Sequence, residues 1–179
     1  MNPGIVLISL ITSAPLGITK KSTRARPSQP IASKARDAIS RSYRYRLLTR
    51  PASSPFEQGR ALWWPHRVDR EALDACAAAL PGKHDFTAFT PTQTDHVYFN
   101  REILTAKWTQ EDDILAFDVT ADAFMRNMVR VLVGTMLDVS SHRRTVDDFT
   151  KLLQGAPRSL AGDTAPPHGL YLESVSYES

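Results

Sequence analysis

From Ser42 to Thr49 apolar and polar residues alternate, which predicts a strand with Tyr43, Tyr45 and Leu47 on one face and Arg44 and Arg46 on the other. Pro51 and Pro55 bracket a loop, and Arg60 to Trp64 predicts a short second strand or edge. Between Asp69 and Leu80 the period changes to that of a helix. Leu73, Cys76, Ala77 and Leu80 form one stripe, and Pro81-Gly82 ends it. His84 to Phe89 is expected as a loop or helical turn. Two strands follow, about Tyr98 to Thr109 and Ile114 to Thr120, joined by the acidic turn Glu111-Asp112-Asp113. A second helix is predicted over about Ala123 to Val139. A third begins at Thr145, with Asp147 and Asp148 in its first turn and Val146, Phe149 and Leu153 on its buried side. Gly162 to Gly169 is a proline-containing loop, and Leu170 to Tyr177 is a last strand. Strands followed by helices predict an α+β domain, an antiparallel or mixed sheet flanked by helices.

The helix from Ala123 is unusual because it is apolar on nearly every face yet carries two arginines. Spaced by four, Arg126, Arg130 and Gly134 are expected along one helical line. A glycine there lets another backbone come close. Guanidinium groups keep their proton, and burying one without a partner is costly, so an anion is expected beside them. That anion is either a carboxylate from elsewhere in the fold or a phosphate of a ligand.

Composition adds a charge asymmetry. The 179 residues are 42% hydrophobic and 23% charged, as in ordinary globular proteins, with a formal net charge of +3. Ten of the 22 basic residues lie between Lys20 and Arg50, where Asp37 is the only acid, and the rest of the chain is acidic. A basic segment on an acidic body points to a polyanion, with nucleic acid foremost. Residues 1–34 read as an arm or linker, poorly ordered alone, and 35–179 as the folded domain. Within the arm, Ile5 to Ile18 is short and interrupted by Pro15 and Gly17. Its charge follows the apolar run, unlike a secretory signal, so no membrane span is expected.

Common catalytic signatures are missing. No glycine-rich phosphate loop is present, and the five histidines lack close metal-ligand spacing, so no metal is expected. Cys76, the single cysteine, sits on an apolar helical stripe and reads as a core residue. What remains is a set of cations and an aromatic: Arg36, Arg41, Tyr43 and Arg130. Such a set suits a phosphate backbone and a stacked base.

Four ordered segments carry a resemblance. Ala35-Arg36-Asp37-Ala38-Ile39-Ser40-Arg41-Ser42-Tyr43-Arg44-Tyr45 resembles the Ala-Arg…Arg-x-Tyr-x-Tyr strand of the tRNA pseudouridine synthase A family. Asp85-Phe86-Thr87-Ala88-Phe89, Phe124 to Gly134, and Thr164 to Leu172 are similar to its Asp-Phe-Thr-x-Phe, Phe-x-x-x-Met-Val-Arg-x-x-x-Gly and Thr-Ala-Pro-x-x-Gly-Leu-Tyr-Leu segments. The resemblance spans about Ala35 to Tyr177 and implies the carboxy-terminal half of a pseudouridine synthase fold, whose two α+β halves join their sheets. It implies isomerisation of uridine to pseudouridine in the tRNA anticodon arm, at positions 38–40, without metal or organic cofactor. A cytoplasmic homodimer with tRNA as partner and no membrane association is the further implication. In the family an aspartate within Arg-Thr-Asp-Ala-Gly is needed to detach the base. The position of Tyr43 lies against the target base, that of Arg130 pairs with the aspartate, that of Arg36 lies near the flipped nucleotide, and that of Leu170 lines the pocket. Arg41 is expected to help hold the RNA.

The departures from the pattern set a limit. This sequence contains no Arg-Thr-Asp-Ala-Gly, and the region before Ala35 shows none of the family's first strands. Asp95, in Thr94-Asp95, falls where the family has a loop and is not expected to be the nucleophile. Asp118 and Asp122 read as surface or capping carboxylates. The expectation is a truncated synthase, inactive alone; the alternative is a non-catalytic RNA-binding module. No role is assigned to Arg126.

Overall fold

The computed structural model describes residues 38–93 and 98–177. Arg36, the arm before it and Thr94-Asp95 lie outside the described residues. The described residues form an α+β arrangement: one six-stranded mixed sheet with helices packed on a single face.

Strand β1 (Ala38–Leu48) is the spine of the sheet. It begins four residues before the point where alternation becomes legible. Strand β5 (Ile114–Ala121) runs antiparallel to it from Arg41 to Leu48 and pairs in turn with β4 (Asn100–Glu111). Beyond β4 lies β3 (Gly82–Asp85), whose last two residues fall in the segment His84–Phe89 expected to be a loop or helical turn; Thr87–Phe89 of that segment is a helical turn. The polar sequence of β3 gives no alternation to read; its pairing with β4 makes it a strand. The other side of β1 is shared by β6 (Leu170–Tyr177), antiparallel along Ala38 to Tyr45, and by the short parallel β2 (Leu62–Trp63) at Leu47 and Leu48.

Three helices cover one face. Helix α1 (Arg70–Ala78) starts at Asp69, whose side chain accepts the Ala72 amide at 3.0 Å, and buries Leu73, Cys76 and Ala77. Helix α3 (Val146–Leu152) opens with a capping box in which Thr145 and Asp148 satisfy each other's backbone amides. Between them lies α2 (Met128–Ser140), buried on nearly every side as its apolar sequence predicts. Tyr45, Leu47, Phe117 and Val119 from the sheet meet Leu132, Val133 and Met136 of α2, with Phe86, Phe89 and Phe149 alongside, to form the core.

The start of α2 corrects the expected helix. The backbone at Asn127 is left-handed (φ 62°), and the helix begins at the next residue. Residues 123–127 are a loop and turn, so Arg126 is not in line with Arg130 and Gly134. Arg126 is exposed to solvent and has no need of an anion. Sequence spacing could not reveal this, because one residue in the left-handed region re-aims everything before it.

The expected close approach at Gly134 is present. The chain from Ala161 to Pro166 crosses α2 there, and a Cβ on Gly134 would overlap the Asp163 carbonyl outright. At the next residue, Thr135 Oγ1 accepts the Gly162 amide at 3.0 Å while donating to the Val131 carbonyl.

Gly134→Ala is therefore expected to destabilise the protein by about 3 kcal/mol or more, the upper part of the overpacking range, as read by urea unfolding; wild-type stability would mean that the crossing can move away. Burial pushes the Cys76 thiol up to about 12. An unfolded thiol ionises near pH ~8.5, so the stability from burying this neutral group is complete below that pH. It is lost progressively as pH rises toward the folded value, since the unfolded state then releases the proton first. Melts of wild type and Cys76→Ala should diverge in their alkaline slope.

Candidate active site

Alternation along β1 aims Arg41, Tyr43, Tyr45 and Leu47 toward the helices and Ser42, Arg44 and Arg46 away from them. Tyr45 is at the centre of the arrangement. Its ring is fully buried and its hydroxyl donates to the Pro166 carbonyl at 2.7 Å. Burial raises its pKa above the ordinary tyrosine value, partly offset by the positive charge of nearby Arg130. Leu170 lies opposite Tyr45 across the β1–β6 ladder and is half-buried against the core. Gly169 is a glycine because a Cβ would come within 2.9 Å of the Tyr45 ring and of the Arg46 carbonyl.

Tyr43, one pleat along, is half-buried, and its ring stands edge-on to Phe124, with centroids 5.0 Å apart and planes at 86°. Phe124 comes from the loop that leads into α2. Tyr43, Phe124 and Leu170 are thus three half-buried apolar side chains at the margin of the core. Surfaces of this kind accept a flat heterocycle by stacking or edge contact.

Arg130 grips the loop between α2 and β6. Its carbonyl accepts the Ala165 amide at 3.1 Å, and its Nε donates to the Ala165 carbonyl at 2.6 Å. Its Nη1 donates to Asn127 Oδ1 at 3.0 Å. These partners are neutral oxygens, and no carboxylate among the described residues pairs with Arg130. The guanidinium is half-buried rather than buried, which lowers the cost that made an anion seem obligatory. Its remaining N–H groups have no acceptor among the described residues, so it can still receive an anion.

Asn127 and the Ala165-Pro166 main chain are parts of this site that sequence reasoning missed. An Asn immediately before a helix was the available signal, since Asn tolerates the left-handed conformation that places its amide oxygen beside Arg130.

Arg41 reaches across the sheet, its Nη1 donating to the carbonyls of Ala38 at 2.8 Å and Asp122 at 2.6 Å. The other strand arginines are engaged on the far face: Arg44 with Asp118 and Glu111, Arg46 with Glu57, Arg50 with Asp113. The expected basic strand is therefore largely neutralised where it can be described. A count along the sequence sees only Asp37; the sheet brings in carboxylates from β4, β5 and the loops. Asp118 is an ion-pair partner, with Arg44 Nε at 2.7 Å, and Asp122 caps a turn by accepting the Ala123 and Glu102 amides. Both agree with their expected structural roles.

Comparison with known proteins decides the family. A sequence profile described as tRNA pseudouridine synthase matches residues 76–178. The chain belongs to the tRNA pseudouridine synthase family. It is 40% identical over 151 residues to tRNA pseudouridine synthase A of Parabacteroides distasonis, covering 84% of this chain and 59% of that protein. It is 37% identical to the Bacillus pumilus protein of the same name, covering 79% and 57%, and 34% identical to that of Limosilactobacillus fermentum, covering 99% and 69%. The chain thus spans rather more than half the length of the first two synthases. The arginine clamp and the Tyr43–Phe124 pair are what this synthase-family chain builds from its own residues.

Tyr45→Phe removes the donor to a partly buried carbonyl and should cost about 1–3 kcal/mol. Asn127→Ala forces alanine into the left-handed region at about 1–2 kcal/mol, whereas Asn127→Gly should escape that strain. Urea unfolding of the three variants checks both; equal losses for Ala and Gly at 127 would remove the backbone explanation.

Proposed function

We propose that this chain furnishes the tyrosine and arginine side of a tRNA pseudouridine synthase site. The reaction would convert uridine to pseudouridine in the tRNA anticodon arm, at positions 38–40. It is an isomerisation: the bond from uracil N1 to the ribose breaks, the base rotates, C5 joins the ribose and gives up its proton, and N1 takes up a proton from solvent. Tyr43, Phe124 and Leu170 would hold the base, Arg41 and Arg36 the RNA backbone, and Arg130 an aspartate. That aspartate belongs to an Arg-Thr-Asp-Ala-Gly segment, which this sequence does not contain.

The observation that carries the reading is the pairing of a half-buried aromatic margin with a guanidinium already oriented by Asn127 and Ala165. A guanidinium held in advance loses little freedom when it receives a carboxylate. The proposed reaction invokes no metal or organic cofactor. The reading further takes residues 35–179 as the functional domain, a homodimer as the assembly and the cytoplasm as the location. Among the described residues no helix is long and apolar enough to cross a membrane.

The test is tritium release from tRNA labelled at uridine C5. The chain alone should bind tRNA without releasing tritium. Mixed with a polypeptide carrying the Arg-Thr-Asp-Ala-Gly half of a relative, it should release it. In that mixture Arg130→Ala should lower the rate on the order of 10²-fold or more, and Tyr43→Phe by about 10- to 100-fold. Release by the chain alone would overturn the claim that the aspartate comes from elsewhere. Binding with no release in any mixture would leave an RNA-binding module.

A further inference from the structure

A crevice lies at the opposite end of α2 from Arg130. It has a volume of about 660 Å³ and runs between the segment leading into α1 and the end of α2. Trp64, His66, Arg67, Ser140, His142 and Arg143 line it. Ten residues of helix separate Arg130 from Ser140, or about 15 Å at the usual rise.

Three features distinguish this crevice from an ordinary surface fold. Its charge is positive: Arg67 is exposed and makes no ion pair among the described residues. Arg143 shares Asp138 with Arg144, so one carboxylate faces two guanidinium groups. Asp69 is the only acid in the wall, and it is occupied in capping α1 and facing His142 at 3.8 Å. Second, the Trp64 indole N–H is buried and has no acceptor among the described residues, although its ring is held edge-on to His66 at 4.9 Å. An indole nitrogen can only donate, and buried donors are rarely left unpaired. Third, a smaller cavity of about 160 Å³ adjoins it through Trp64 and Arg143; its other walls include Gly134, Asp138, Asp163 and the Thr164-Ala165-Pro166 stretch that Arg130 and Tyr45 hold.

We infer that this crevice is a second RNA contact, in which Arg67 and Arg143 hold a backbone phosphate and the Trp64 N–H donates to a phosphate or base oxygen. It rests on the function proposed above, because the RNA it takes is the one whose uridine is presented at Tyr43 and Arg130. Phosphate contacts fix register without reading sequence. A contact at the far end of α2 from Arg130 sets which nucleotide reaches Arg130. Arginine suits the task because its planar fork matches phosphate oxygens.

The experiment is filter binding of the full chain to an unmodified tRNA transcript over a series of salt concentrations. Arg67→Ala should weaken binding about three- to tenfold and reduce the slope of log affinity against log salt by about 0.7–0.9, the loss of one phosphate contact. Arg67→Lys should keep the slope. Trp64→Phe keeps an aromatic ring but removes the donor; it should weaken binding without changing the slope. Lys83→Ala, on the far edge strand, should change neither, which separates a built contact from general surface charge. Tight wild-type binding with an unchanged slope in Arg67→Ala would overturn the crevice alone. Failure of the wild type to bind tRNA would overturn both the crevice and the proposed function.

Discussion

The crossing of α2 by the chain that leads into β6 is the constraint on which the rest of the structure depends. Three contacts hold it: the Asp163 carbonyl against Gly134, the Thr135 hydroxyl on the Gly162 amide, and Arg130 on both polar groups of Ala165. The next residue, Pro166, receives the Tyr45 hydroxyl, which ties the crossing to β1. Helix, loop and sheet are thereby locked by groups that are each unable to move without leaving a polar atom unpaired. Networks of this kind specify one arrangement because partial satisfaction is costly.

That lock explains why a charged side chain can sit among apolar residues. Arg130 is half-buried, and two of its donors already serve the main chain and Asn127. Its structural task holds the guanidinium in place, and its unpaired donors remain available for an anion. A structural ion-binding arm and a catalytic one are thus the same side chain in the proposed reaction. Tyr43 shares this economy, because its ring closes the core against Phe124 while part of it stays accessible.

The two faces of the sheet divide the electrostatic labour. Away from the helices, Ser42 bonds Thr120 at 2.8 Å and Arg44 lies between Asp118 and Glu111, a face that satisfies its own charges. By contrast, Arg67 and Arg130 make no ion pair among the described residues.

Much of the architecture was legible in the residues alone. Alternation marked β1, hydrophobic runs marked β4 and β5, helical stripes marked α1 and α3, and Thr145 was readable as a helix start, because local periodicity and capping chemistry act over a few residues. The order of motifs from Tyr43 through Asp85 and Arg130 to Leu170 pointed to the family on the same local grounds. Gly134 announced a close approach. Only the tertiary structure decided what approached it, that Arg126 faces solvent, that β3 is a strand, and that Arg44, Arg46 and Arg50 are neutralised from across the sheet. Each of those depends on residues tens of positions apart or on one backbone angle at Asn127. Pairing between distant segments, unlike periodicity, leaves no trace in the local order of side chains.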